Sequence, residues 1–203
     1  MEERINKLKK GVKTDGIITL IIVLIMLASS VASLVDIIKL SNKNSQAFEV
    51  KILNDGKDKG NYCLFIDGEN QGPVDYNEYL AYVDSNGNIN VKICHIAAGI
   101  AVLIRRLFMA VIFYFAYLIL KNIFKPFCKN NIRTLRIMSL LTLLLSCVPA
   151  LVEDVIKAVT FGNTTIVFSQ MDFFAFMMAV LLGIISEVFK YGNYLQEEIE
   201  QIA

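Results

Sequence analysis

The run GIITLIIVLIMLASSVASLV, residues 16 to 35, carries no charged side chain over 20 positions. At ~1.5 Å per residue, a helix of that length covers a hydrocarbon core of ~30 Å. Three shorter apolar runs lie further along, at 107–120, 137–152 and 173–189, each next to more apolar sequence. With 203 residues, 55% of them hydrophobic, and a mean hydropathy of +0.53, the chain is too apolar and too clustered for ordinary soluble domains. The expected fold class is membrane all-α, a bundle of four transmembrane helices.

The net charge of +1 carries no message about a partner, because the charges are segregated. Residues 1–15 hold five basic side chains and residues 121–136 another five, whereas residues 41–92 hold five basic and eight acidic ones. The positive-inside rule then places both termini and the 121–136 connection in the cytoplasm, and the 41–92 stretch outside. Each basic cluster sits at a membrane boundary, so direct nucleic-acid binding is not expected. Lysines ahead of Ile17–Leu27, with small residues after it, also fit a cleaved leader. Continuation of the apolar run to Val35 favours a retained span in a multi-pass protein of the cell membrane.

In chain order, residues 1–40 are a cytoplasmic N-terminus and the first span, with Thr14 expected to cap the helix beside Asp15. Residues 41–94 form an extracytoplasmic α+β insert, with strand-like runs at 47–53, 61–67 and 88–94, turns at 54–60 and 85–88, and a short helix over 75–84. An insert so small has little core of its own, so it is expected to rest on protruding ends of the spans. Residues 95–124 make the second helix, whose membrane part is about 107–121 and whose outer part packs on the insert. A basic cytoplasmic loop (125–136), a third span (137–157), an outer loop (158–171), a fourth span (172–190) and an acidic tail helix (191–203) complete the chain. Pro149 removes a hydrogen bond inside the third span, as a static bend or a moving part, the static reading being preferred.

Heights counted from the cytoplasmic side bring Arg105, Arg106, Glu153 and Asp154 to ~22–27 Å, near the outer edge of the apolar core. Asp36 and Asp172 come at similar heights, so a belt of opposite charges around the outer mouth is expected. Ala175, Ala179 and Gly183 recur every fourth residue, a line of small side chains suited to close helix contact, with Ala28, Ser29, Ala32 and Ser33 of the first span as the expected partner face. Glu187, next on that line, reads as an i,i+3 pair with Lys190 in preference to an ion site. Cys63 and Cys94 are both expected outside on strand-like runs, where a disulfide is geometrically possible and two thiols are the preferred reading. His95 beside Cys94 supplies too few ligands for zinc and no catalytic triad. No metal, cofactor or catalytic residue is expected, and no phosphate loop or nucleophile elbow occurs.

The tail carries the sharpest signal. Val188, Tyr191, Leu195, Ile199 and Ile202 make an apolar stripe on one side of a helix. Glu197, Glu198 and Glu200 crowd the same end, and an anionic lipid surface repels such a helix. A basic protein partner fits it, with Tyr191, Leu195, Glu197, Glu198 and Ile199 as the contacting residues. The other reading folds the stripe back on the basic loop, where Lys125, Arg133 and Arg136 lie.

KPFCKNNIRTLRI (125–137) and EVFKYGNYLQEEIEQI (187–202) together resemble an uncharacterised bacterial family of small four-span membrane proteins, commonly encoded beside a small Cro-type helix-turn-helix regulator. The match covers the Pro-Phe, Asn and Leu-Arg positions and the Tyr-Gly-x-x-Leu-Gln-Glu-Glu run. It departs at Glu200, Gln201 and Ile202, where the family pattern carries Asp, an apolar residue and Thr. The resemblance implies a non-enzymatic regulatory membrane protein that holds or sequesters such a regulator through loop and tail. The alternative is a small-solute transporter, or an immunity protein against a membrane-active peptide, using the outer charges. The lipid bilayer is the other expected partner, and the reading admits a homo-oligomer.

Overall fold

The computed structural model describes residues 2–53, 61–80, 82, 89–162 and 171–202, with side chains for these except 2–8, 77, 78 and 202. Four long helices, α1 (Glu2–Ser41), α3 (Val91–Lys121), α4 (Lys129–Phe161) and α5 (Phe173–Ile202), are each long and apolar enough to cross a membrane. Between α1 and α3 stand β1 (Phe48–Ile52), β2 (Tyr62–Ile66), β3 (Glu69–Pro73) and the one-turn helix α2 (Tyr76–Tyr79). Leu24, Ile25, Val31, Phe173, Phe174 and Ile184 are among many large apolar side chains left exposed on the long helices. A continuous apolar face of this kind is covered by lipid in a folded membrane protein.

The chain divides into two compact units. The first comprises Met1–Ser30, Ile104–Val148 and Met171–Ala203. In it α1 lies against α3: a Cβ on Gly16 would stand 3.5 Å from the Tyr117 ring, and Arg106 Nη1 donates to the Ser29 carbonyl at 3.2 Å. The order of these contacts makes the two helices antiparallel neighbours. α4 and α5 pair in the same sense. Ser139 Oγ donates to the Ala179 carbonyl at 2.8 Å, and a Cβ on Gly183 would meet that Oγ at 3.3 Å.

The line of small residues therefore packs on α4, while on the expected face of α1 Ala28 is exposed and Ser29 half-buried. The small side chains of Ala179 and Gly183 let the α5 backbone come close enough to accept from the Ser139 hydroxyl. Asp172 begins α5, its Oδ1 accepting from the Ala175 amide at 3.0 Å as an N-cap.

The second unit comprises Val31–Leu103 and Pro149–Gln170. Its sheet is antiparallel in the order β1-β2-β3. Asp67 (φ 52°) and Gly68 (φ 82°) make the two-residue β2–β3 turn, both in the left-handed region that a tight hairpin requires. Phe48, Leu64 and Ile66 bury one side of the sheet against Tyr79, Val91, Cys94 and Phe161, with Leu40 packed alongside. The insert thus rests on the ends of α1, α3 and α4, as its size demands. Lys92 Nζ donates to the Ser41 and Lys43 carbonyls at 2.8 and 2.6 Å, satisfying acceptors left over at the end of α1.

Several boundaries differ from expectation. α1 begins at Glu2, and Thr14 bonds back to the Lys10 carbonyl at 3.0 Å instead of capping. Residues 91–94, expected as strand, are the first turn of α3, capped by Asn90, whose Oδ1 accepts from the Ile93 amide at 3.3 Å. Residues 129–136, expected as loop, are the first two turns of α4. The 75–84 helix is described only as Tyr76–Tyr79, and β3 was not foreseen. The expected turns at 54–60 and 85–88 and most of the 158–171 loop lie outside the described residues.

Candidate functional site

The two stretches on which the family resemblance rests come together in the first unit. Asn131, almost fully buried, donates from Nδ2 to the Lys125 and Pro126 carbonyls at 3.4 and 3.1 Å and so fixes the turn that precedes α4. That turn presents Phe127, which meets Phe189 edge-on with ring centroids 5.3 Å apart. Gly192 lies under the same ring; a Cβ there would come within 2.7 Å of it. The glycine of the Tyr-Gly pair is therefore required by close approach and not by backbone conformation.

Two ion pairs continue the contact along the helices. Arg136 donates to Glu187 at 2.6 Å, and Lys129 stands 3.1 Å from Glu197. Lys190 is a second, longer partner of Glu187 at 3.7 Å, so the expected i,i+3 pair exists but is the minor one. Hydrogen bonds from Lys129 and then Asn193 hold the Glu197 carboxyl below the ordinary carboxylate range. Tyr194 donates to Glu198, one turn further on. An open groove of about 430 Å³ runs between the two helices, its walls including Ile132, Arg133, Arg136, Lys190, Tyr194 and Glu197.

The tail is a direct continuation of the apolar helix, α5 running unbroken to Ile202. Its stripe is not consumed by the fold-back: Val188, Tyr191 and Ile199 are 59%, 64% and 67% exposed, and Leu195 is 40% exposed. Lys125 and Arg133 are exposed as well. The Ile202 side chain lies outside the described residues. Glu197 and the glycine hold the tail to the start of α4, Glu198 and Glu200 are bonded within α5, and the apolar side chains are exposed beside them. The tail therefore meets the turn and the start of α4 through Glu197 and Gly192, not through the stripe, which stays exposed.

The outer charges do not behave alike. In the second unit Glu153 and Asp154 are buried, and Lys157, which sequence reasoning passed over, is 1% exposed. Lys157 Nζ donates to Glu153 Oε1 at 2.7 Å and sits 4.8 Å from the centre of the Tyr82 ring. Burial pushes the Tyr82 phenol up, an effect Lys157 partly offsets, so at neutral pH the ring meets the ammonium as a neutral aromatic face. The sequence signal was available, since Glu153 and Lys157 are spaced i,i+4 on one helix. Asp36 is exposed in this unit. In the first unit, Arg105 is exposed, Arg106 is held by Ser29, and Asp172 serves as a cap.

Cys63 and Cys94 are both thiols, 0% exposed in the insert core, and not a disulfide. Cys94 stands on α3 and not on the strand read from the sequence. His95 Nδ1 and the Tyr79 hydroxyl share a hydrogen bond of 3.0 Å, a packing role. Among the described residues no group of His, Cys, Asp and Glu side chains is arranged to hold a metal ion. Compared with protein-family models, curated proteins and solved structures, the chain finds no match.

Proposed function

We propose that this chain is a non-enzymatic regulatory protein of the cell membrane, with four spans, both termini cytoplasmic and the sheet-bearing insert outside. Its cytoplasmic surface, made of the 125–136 stretch and the 191–203 tail, holds a small helix-turn-helix regulator and controls its release. The observation that carries the reading is the tail itself. A rigid helix leaves the membrane with Val188, Tyr191, Leu195 and Ile199 exposed in a row, next to carboxylates at its far end. Water is a poor neighbour for that stripe and an anionic headgroup surface is a poor neighbour for Glu197, Glu198 and Glu200. A small protein with an apolar groove and a basic rim suits both, as in other helix-in-groove complexes.

The resemblance of the loop and tail motifs supports the choice of regulator, and matching residues of the two stretches meet in space, Phe127 lying against Gly192. Co-purification of the regulator encoded beside this chain tests the reading. Leu195→Ala with Glu197→Lys abolishes it while leaving the membrane protein at normal levels; retention of the regulator by that variant overturns the proposal.

A further inference from the structure

A second groove lies in the first unit, at the end of the α1–α3 pair near the basic N-terminal stretch. It has a volume of about 280 Å³ between the two helices and is lined by Gly16, Leu20, Tyr117 and Leu120, with Lys13 and Lys121 at one rim. The lining is almost wholly apolar apart from those two lysines. Gly16 is the notch that opens it: the glycine is buried, and its missing side chain leaves only the Tyr117 ring opposite. Lys13 and Lys121 come from different helices, are exposed, and among the described residues form no ion pair. Ile17 and Ile18, beside the groove, are about half exposed (51% and 50%), so it opens onto the face that lipid covers.

From this arrangement we infer that the groove is a binding site for an anionic phospholipid, one acyl chain lying along Gly16 and Leu20 against Tyr117 and the phosphate held between Lys13 and Lys121. The chemistry is specific in both parts. Paired ammonium groups at the edge of an apolar span favour a headgroup of net negative charge over a zwitterionic one, whose phosphodiester is offset by its own cation. Long lysine stems reach the headgroup level while their methylenes stay on apolar surface. A free phosphate ion satisfies the lysines and leaves the groove empty, so the occupant is a lipid of the bilayer. The site is independent of the regulator reading, since it shares no residue with the loop–tail surface.

The test uses the full chain in detergent, with phosphatidylglycerol, phosphatidylcholine and inorganic phosphate added separately, reading retained lipid by native mass spectrometry and melting temperature. Phosphatidylglycerol is retained and raises the melting temperature; phosphatidylcholine and phosphate do neither. Lys13→Gln with Lys121→Gln weakens phosphatidylglycerol binding by roughly thirtyfold, the loss expected for two surface charges. Gly16→Leu, which fills the notch and keeps both charges, abolishes it. Lys9→Gln with Lys10→Gln removes equal charge outside the groove and leaves binding unchanged. Where the glutamine pair lowers the melting temperature without lipid, Lys13→Arg with Lys121→Arg takes its place and binds as the native chain does. Equal retention of phosphatidylcholine, a shift with phosphate alone, or equal losses in the groove and control variants overturns the assignment.

Discussion

Gly192 has no room for a side chain, because the Phe127 ring fills the space a Cβ would take. That ring also meets Phe189 edge-on, so it cannot swing clear cheaply. Gly192→Ala gains ~1 kcal/mol of helix propensity but forces a repacking that costs ~1–3 kcal/mol. The expected result is a net loss in thermal stability in detergent, recovered by pairing it with Phe127→Leu. Glu197 is the second residue whose behaviour follows from a contact. Its pKa is depressed in the folded chain by Lys129 and Asn193. The stabilisation it contributes is therefore present above the unfolded carboxylate value and is lost as pH falls through the lower, folded value. In a side-chain NMR titration, Lys129→Ala moves the Glu197 midpoint up toward the ordinary carboxylate range. Neither contact was legible in the sequence, since each joins residues that meet only when two helices pack.

Elements were easiest to read where their pattern was long. The four apolar helices follow from run length alone, and β1 and β2 follow from short runs rich in β-branched and aromatic residues. The start of α3 was misread because NINVKIC alternates over a few residues like a strand. Over a longer window Val91, Cys94, Ala97 and Ala101 keep helical spacing and are all buried, and the Asn90 cap marks the start. The strand β3 carries no apolar alternation in ENQGP; the Asp67–Gly68 turn was its only signal.

The outer half of α4 was half legible. Glu153 and Asp154 were singled out by height, but Lys157, the most deeply buried ion there, was not. Lys157→Met strands Glu153 in a buried site, and ~3–5 kcal/mol of stability goes with it. Adding Glu153→Leu to that variant restores most of the loss, read as chemical denaturation of the full chain; equal damage in single and double variants contradicts the pairing.

At the scale of the whole molecule, charge segregation and contact order give one account. Basic residues cluster at 1–15 and 121–136, and the carboxylate-rich tail meets the second cluster through Lys129–Glu197 and Arg136–Glu187. Loop and tail must then lie on one side of the membrane, whatever that side is. The proposed topology, read from the positive-inside rule, puts that side in the cytoplasm and the insert outside. The proposed binding of a regulator by the tail requires that arrangement. Labelling of single cysteines in intact cells, in a background with the four native cysteines replaced, tests it most directly. A membrane-impermeant maleimide reacts with Glu69→Cys in intact cells, and with Arg133→Cys and Ile199→Cys only after permeabilisation. Labelling of Ile199→Cys from outside, or of Arg133→Cys and Ile199→Cys from opposite sides, contradicts the account.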